Sequence, residues 1–205
     1  MLGLAAAAHG QLIIVTGSTS NVTAAFNFTI DPVLNRVTVQ VNNTIPSPTG
    51  VTGTITSFGF NIPTALVGTG SLLSSVGVPA GAFTFFEPYS INAGGGGFVQ
   101  DVGAGTGGNP NGGFAATSIQ FGQTATFVFQ FADFATTAGF LGTNGVTARF
   151  QALPGGASDV GFGNPGGPGP GPTPVPEPST YGLMGAATLL VGLFLRRKFG
   201  KPAAV

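Results

Sequence analysis

Val22-Thr23-Ala24-Ala25-Phe26-Asn27-Phe28-Thr29-Ile30, then Asp31-Pro32-Val33-Leu34-Asn35, then Arg36-Val37-Thr38-Val39-Gln40-Val41: this stretch of the 205-residue chain decides its fold. In the first run Val22, Ala24, Phe26, Phe28 and Ile30 alternate with Thr23, Ala25, Asn27 and Thr29; in the last, Val37, Val39 and Val41 alternate with Thr38 and Gln40. A strand sends successive side chains to opposite faces, so a period of two lays one apolar face on a core and one polar face on solvent. Asp31-Pro32 to Asn35 supplies turn residues between the runs, and the pair predicts a hairpin.

The same period recurs outward from this hairpin. Gln11 to Thr16, Thr52 to Asn61, Ala82 to Phe86, Gly97 to Val102, Ala116 to Phe121, Thr124 to Phe131 and Val146 to Ala152 read as strands, which makes about nine short strands separated by Gly, Pro, Asn and Ser. That spacing predicts an all-β fold with a single β-sandwich, jelly-roll-like, over residues 11–154. The chain has 19 phenylalanines but no tryptophan and two tyrosines, and most of the phenylalanines fall at inward positions of these strands. Ala132 to Gly139 is read as a single helical turn, and Ala65 to Ser75 is open between loop and short helix. Gly94 to Gly97 and Gly103 to Gly113 read as long surface loops. Residues 155–175 form a Gly/Pro-rich linker whose second half is dominated by proline; it favours extended polyproline-like backbone and reads as a spacer.

Composition excludes several chemistries. With no cysteine, the chain has no disulfides, thiolate metal sites or cysteine nucleophile. Only 6% of residues are charged, against about a quarter in an ordinary soluble domain. Ahead of the C-terminal segment the acids are Asp31, Glu87, Asp101, Asp133, Asp159 and Glu177, against Arg36 and Arg149. So mildly acidic a surface has few cations to displace counterions from phosphates, and no nucleic-acid partner is expected. Gly103-Ala104-Gly105-Thr106-Gly107-Gly108 matches G-x-G-x-x-G, but no βαβ unit surrounds it and it reads as a loop. His9 is the only histidine, and no G-x-S-x-G elbow is present, so no serine triad is expected. Glu87 with Asp101 or Asp133 is the nearest approach to a carboxylate pair. Asp101, Asp133 or Asp159 with loop carbonyls is the nearest to a calcium site, with exposed solubilising charge as the plainer reading. Arg36 and Arg149 are expected to pair with acids at strand ends. Asn21, Asn27 and Asn42 open glycosylation-type sequons that read as ordinary strand-face residues. Phe85, Phe86 and Tyr89 are the aromatic candidates for stacking on a sugar, with both phenylalanines expected in the core. No cofactor and no enzymatic activity are expected.

The two ends carry addresses. Residues 1–10 resemble the latter half of a secretory signal peptide, an apolar run of small residues with cleavage after Ala8 or Gly10. Its basic n-region is missing, so either the start codon lies upstream or the segment is only an apolar N-terminus. At the other end Val175-Pro176-Glu177-Pro178-Ser179 leads into Tyr181 to Leu195, an uncharged run that includes Leu183, Leu189, Leu190, Leu193 and Leu195 and is closed by Arg196-Arg197-Lys198. As a helix, about fifteen residues span roughly 22 Å at 1.5 Å each. That is short of the ~20 residues of a comfortable membrane span, but reachable with snorkelling arginines and a thinned bilayer. The cations leave residues 199–205 as a cytoplasmic tail.

This order, over residues 176–198 with Val175 before it, resembles the PEP-CTERM sorting signal of exported proteins in Gram-negative, exopolysaccharide-producing bacteria. The resemblance covers about the last tenth of the chain. It implies an exosortase-type membrane enzyme as processing partner, export through the Sec machinery, a transient inner-membrane anchor, and delivery to the cell surface or extracellular matrix. The function expected is that of a non-enzymatic surface or exopolysaccharide-matrix protein; the alternative is a carbohydrate-binding or adhesin module using loops of the β-domain. Exopolysaccharide and self-assembly stand as further candidate partnerships.

Overall fold

The computed structural model describes residues 9–44, 47, 50–93, 96–132 and 145–165. All fall in the first of the two units into which the chain divides, residues 1–169. The strands are β1 (His9–Gly17), β2 (Thr23–Asp31), β3 (Arg36–Asn42), β4 (Thr54–Phe60), β5 (Ser71–Val76), β6 (Phe83–Phe86), β7 (Tyr89–Ala93), β8 (Gly96–Gln100), β9 (Val102–Thr106), β10 (Thr124–Gln130), β11 (Val146–Gln151) and β12 (Asp159–Gly163).

The predicted hairpin forms, with Phe26 facing Val41, Phe28 facing Val39 and Ile30 facing Val37 across β2 and β3. Its turn is built by Asp31, whose Oδ1 accepts the N–H groups of Val33 (3.0 Å) and Leu34 (2.9 Å). Asn35 then takes the left-handed conformation (φ 54°), which asparagine tolerates better than most residues.

A two-sheet sandwich is not what results. Ten strands form one antiparallel sheet in the order β5-β10-β3-β2-β1-β12-β11-β4-β9-β6, nearly closed as a barrel, and the end strands β5 and β6 approach each other with no ladder between them. The physical reason is β12. It pairs with β1 through Thr16–Phe162 and Gly17–Gly161 and with β11 from Val146–Gly163 to Phe150–Asp159, so the two walls expected of a sandwich become one sheet. Its sequence, Asp159-Val160-Gly161-Phe162-Gly163, lies in the stretch read as the start of the spacer. Period-two patterning identifies a buried face but does not say whether the facing wall belongs to the same sheet.

Phenylalanines fill the interior by bridging opposite walls. Phe58 of β4 meets Phe26 of β2 at 5.6 Å between ring centroids and Phe127 of β10 at 4.9 Å; Phe60 meets Phe28 at 5.3 Å and Phe129 at 5.1 Å. Most of these pairs are edge-on or tilted, arrangements that add about 0.5–1.5 kcal/mol each beyond burial. Ile13, Val15, Val37, Val39, Ile55, Ala104, Val146 and Phe150 complete the core. Asn43 ties the barrel end, donating from Nδ2 to the carbonyls of Gly53 and Ile119, both at 2.9 Å; it is buried rather than a face residue of a sequon.

Several segments depart from expectation. Gly103 to Thr106, read as the start of a glycine loop, belong with Val102 to the fully buried strand β9 between β4 and β6. Ala116 to Phe121 is not a strand: Ala115–Thr117 is a 3-10 turn and Ile119 makes a lone bridge to Ile55. The open segment Ala65 to Ser75 divides into a 3-10 turn, Thr64–Leu66, and β5. The helical turn expected at 132–139 lies outside the described residues apart from Ala132.

β7 and β8 form a separate two-stranded sheet on the outside of the barrel wall. Tyr89, fully buried, lies over Gly59 of β4 and Gly103 of β9, where a Cβ on either glycine would collide with its ring. These glycines are therefore a floor, which explains a strand so poor in side chains. Ser57 Oγ donates to the Pro110 carbonyl (2.9 Å), so in the 2.9 Å bond between Ser57 Oγ and Tyr89 Oη the tyrosine is the donor. Burial pushes the Tyr89 phenol well above its ordinary value. Gln100 Nε2 donates to Thr147 Oγ1 (2.8 Å), and Phe98 stacks on Phe162 of β12 at 6.1 Å.

Candidate functional site

The residues expected to carry sorting, Val175 to Ser179, Tyr181 to Leu195 and Arg196 to Lys198, lie outside the described residues. Among the described residues no helix is long and apolar enough to cross a membrane.

Within the barrel unit, the turn after β1, the hairpin strand β7, the outer face of β11 and the start of β12 together frame a cleft of about 220 Å³. Its rim is exposed and hydroxyl-rich, with Ser18, Thr19, Asn92 and Ser158; its floor holds Arg149 and Asp159. A register shift between β11 and β4 sets Arg149 opposite Ser57 and Phe150 opposite Ile55. It leaves Thr56 as the extra residue of a bulge, a device that re-aims side chains, and Arg149 points outward while Phe150 stays in the core.

Asp159 is saturated. Oδ1 accepts Ser18 Oγ (2.9 Å) and the Val160 N–H (2.8 Å); Oδ2 accepts the N–H groups of Thr19 (2.9 Å) and Ser20 (2.7 Å) and Ser20 Oγ (2.7 Å). Burial pushes its carboxyl up, but the bonds from Ser20, Thr19 and Ser18 outweigh that and hold it below the ordinary 3.8. A carboxylate bonded this way locks a turn and has little acceptor capacity left.

Arg149 is the opposite case. Its Nη2 makes one long bond, 3.4 Å to Ser158 Oγ, and its buried Nε has no acceptor, although a guanidinium offers five N–H donors. Among the described residues the expected pairing of arginines with acids does not form: Arg36 Nε donates to Gln130 Oε1 (3.0 Å) and Arg149 Nη2 to Ser158 Oγ. Asp31, the ladder partner of Arg36, has its Oδ1 on the Val33 and Leu34 N–H groups, and Asp159, beside Arg149 in the cleft, is filled by backbone and hydroxyl donors.

The other expected sites are dispersed. Asp101 Oδ2 accepts the Ile62 N–H (2.9 Å) and Glu87 Oε1 accepts the Gly68 N–H, each fastening its own loop. Asp133, the third candidate for a carboxylate pair or calcium site, lies outside the described residues; among those described, no three His, Cys, Asp or Glu side chains group as metal ligands. Tyr89 is not a stacking platform, being fully buried. Phe85 is half-buried against the core as expected, whereas Phe86 packs with Tyr89 outside it. Among the described residues the large exposed rings are Phe114 and Phe121. Sequence reasoning missed the cleft. Its one local signal is Ser18-Thr19-Ser20 closing a strand, the composition of a hydroxyl-capped turn.

The family model of the PEP-CTERM protein-sorting motif matches residues 174–198, covering the lead, the apolar run and the basic stop. The chain carries that export-sorting signal, which implies export, membrane-associated sorting and exosortase processing. No curated protein and no solved structure matches the chain.

Proposed function

We propose that this chain is an exported, non-enzymatic surface or exopolysaccharide-matrix protein. It passes through Sec, is held in the inner membrane by Tyr181 to Leu195 and is released by an exosortase-type enzyme. The observation that carries this reading is the contiguous sorting motif at residues 174–198. The barrel supports a structural role, since its described carboxylates hold backbone N–H groups. The test is cell fractionation with intact-mass analysis, with and without the processing enzyme. A surface form lacking Arg196 to Val205, seen only when the enzyme is present, is the expected result; untrimmed chain free in the cytosol overturns the proposal.

A second reading, a glycan-contacting module, is favoured by the hydroxyl-rimmed cleft around Arg149. It predicts saturable retention on a polysaccharide.

A further inference from the structure

Two arginines lie among the described residues, in different states of satisfaction. Arg36 is fixed by a 3.0 Å bond from Nε to Gln130. Arg149 has a buried Nε without an acceptor and only a 3.4 Å contact at Nη2. Leaving charged donors unmet is costly; the buried Nε is out of a ligand's reach, so it is the Nη donors of this guanidinium, with one long bond between them, that the cleft offers to a ligand.

We propose that the Arg149 cleft is a carboxylate subsite that holds one acidic sugar unit, its carboxylate on the guanidinium and its hydroxyls against Thr19, Asn92 and Ser158. The planar fork of arginine matches the two oxygens of a carboxylate. Asp159 lines the same floor, but five donors saturate it. It therefore has little capacity left to accept from a ligand, and its residual negative charge disfavours a dianion such as phosphate relative to a monoanion. At about 220 Å³ the cleft is smaller than the ~300–1,000 Å³ of pockets that engulf drug-sized ligands, so it suits a single monomer or a chain end. The polymeric source of that unit rests on the glycan-contact reading; the carboxylate chemistry does not.

The test uses the full chain in detergent, titrated calorimetrically with glucuronate, glucose, acetate and inorganic phosphate. Glucuronate is expected to bind at least about tenfold more tightly than glucose, the scale of one charge-assisted hydrogen bond, and more tightly than acetate or phosphate. Arg149→Gln is expected to remove that preference and Arg149→Lys to restore part of it. Should Arg149→Gln fail to fold, Asn92→Ala and Ser158→Ala, both on the exposed rim, are each expected to weaken glucuronate about threefold. Equal binding of glucuronate and glucose, preference for phosphate or acetate, or full affinity in folded Arg149→Gln overturns the proposal. Retention on an acidic polysaccharide separates the two readings. If retention survives Arg149→Gln, the cleft is not the site though glycan contact holds. If free glucuronate binds without polymer retention, the cleft stands and the glycan-contact reading falls.

Discussion

Asp31, Glu87, Asp101 and Asp159 each accept at least one backbone N–H from a loop or turn. In a chain this poor in charge, carboxylates act as turn fasteners, and Asp159 is the most heavily used. Because its folded-state value is depressed, its contribution is present above the ordinary carboxyl value of 3.8 and is lost as pH falls through the lower folded value. Urea midpoints should therefore be flat from neutral pH to about 5 and decline below about 4. Asp159→Asn is expected to lose about 2–3 kcal/mol at neutral pH, since an amide cannot take the same set of donors, and to show a shallower acid decline. A variant that keeps the full wild-type acid slope would show that another group sets it. None of this was legible in the sequence, because Asp159 and its partners Ser18 to Ser20 stand about 140 positions apart.

At the scale of elements, legibility followed side-chain content. β2, β3, β10 and β11 carry alternating large apolar residues, so periodicity found them; the turn at Asp31 to Asn35 was readable because its chemistry is local. β9 and β12 were missed because Val102-Gly103-Ala104-Gly105-Thr106 and Asp159-Val160-Gly161-Phe162-Gly163 present glycine where a strand usually shows bulk. Gly103 serves another element: it leaves room for Tyr89, which pins the β7–β8 hairpin to the wall. Two substitutions separate the ring from the hydroxyl. Tyr89→Phe keeps the packing and removes one bond to Ser57, costing about 1 kcal/mol. Tyr89→Ala leaves a ring-sized void, costing about 3–5 kcal/mol, and should free the hairpin. Limited proteolysis between residues 88 and 101, read beside thermal melts, distinguishes them: cutting in Tyr89→Ala but not in Tyr89→Phe is expected. Equal protection in both would mean Phe98–Phe162 and Gln100–Thr147 suffice to hold it.

For the molecule as a whole, sorting and folding are written in different ways. The sorting signal is contiguous, so sequence alone displayed it. The barrel depends on pairings that join distant strands, and its continuity depends on β12, in the stretch where composition suggested that the fold had ended. The fold's boundary can be tested by truncation. A chain ended after Pro165 keeps β12, with its ladders to β1 and β11 and the stack of Phe162 on Phe98, and is expected to melt cooperatively within a few degrees of the full chain. A chain ended after Ala157 leaves β1 and β11 with unpaired edges facing each other, exposes the Phe150 side of the core and takes away the carboxylate that fastens the turn after β1. Since a domain's whole margin is about 5–15 kcal/mol, these losses together exceed it, and no cooperative transition should remain by circular dichroism or calorimetry. If the shorter chain melted like the longer one, β12 would be a passive strand at the edge of a sandwich; as the strand that joins β1 to β11, it makes the five residues from Asp159 to Gly163 decide instead whether the sheet exists as one piece.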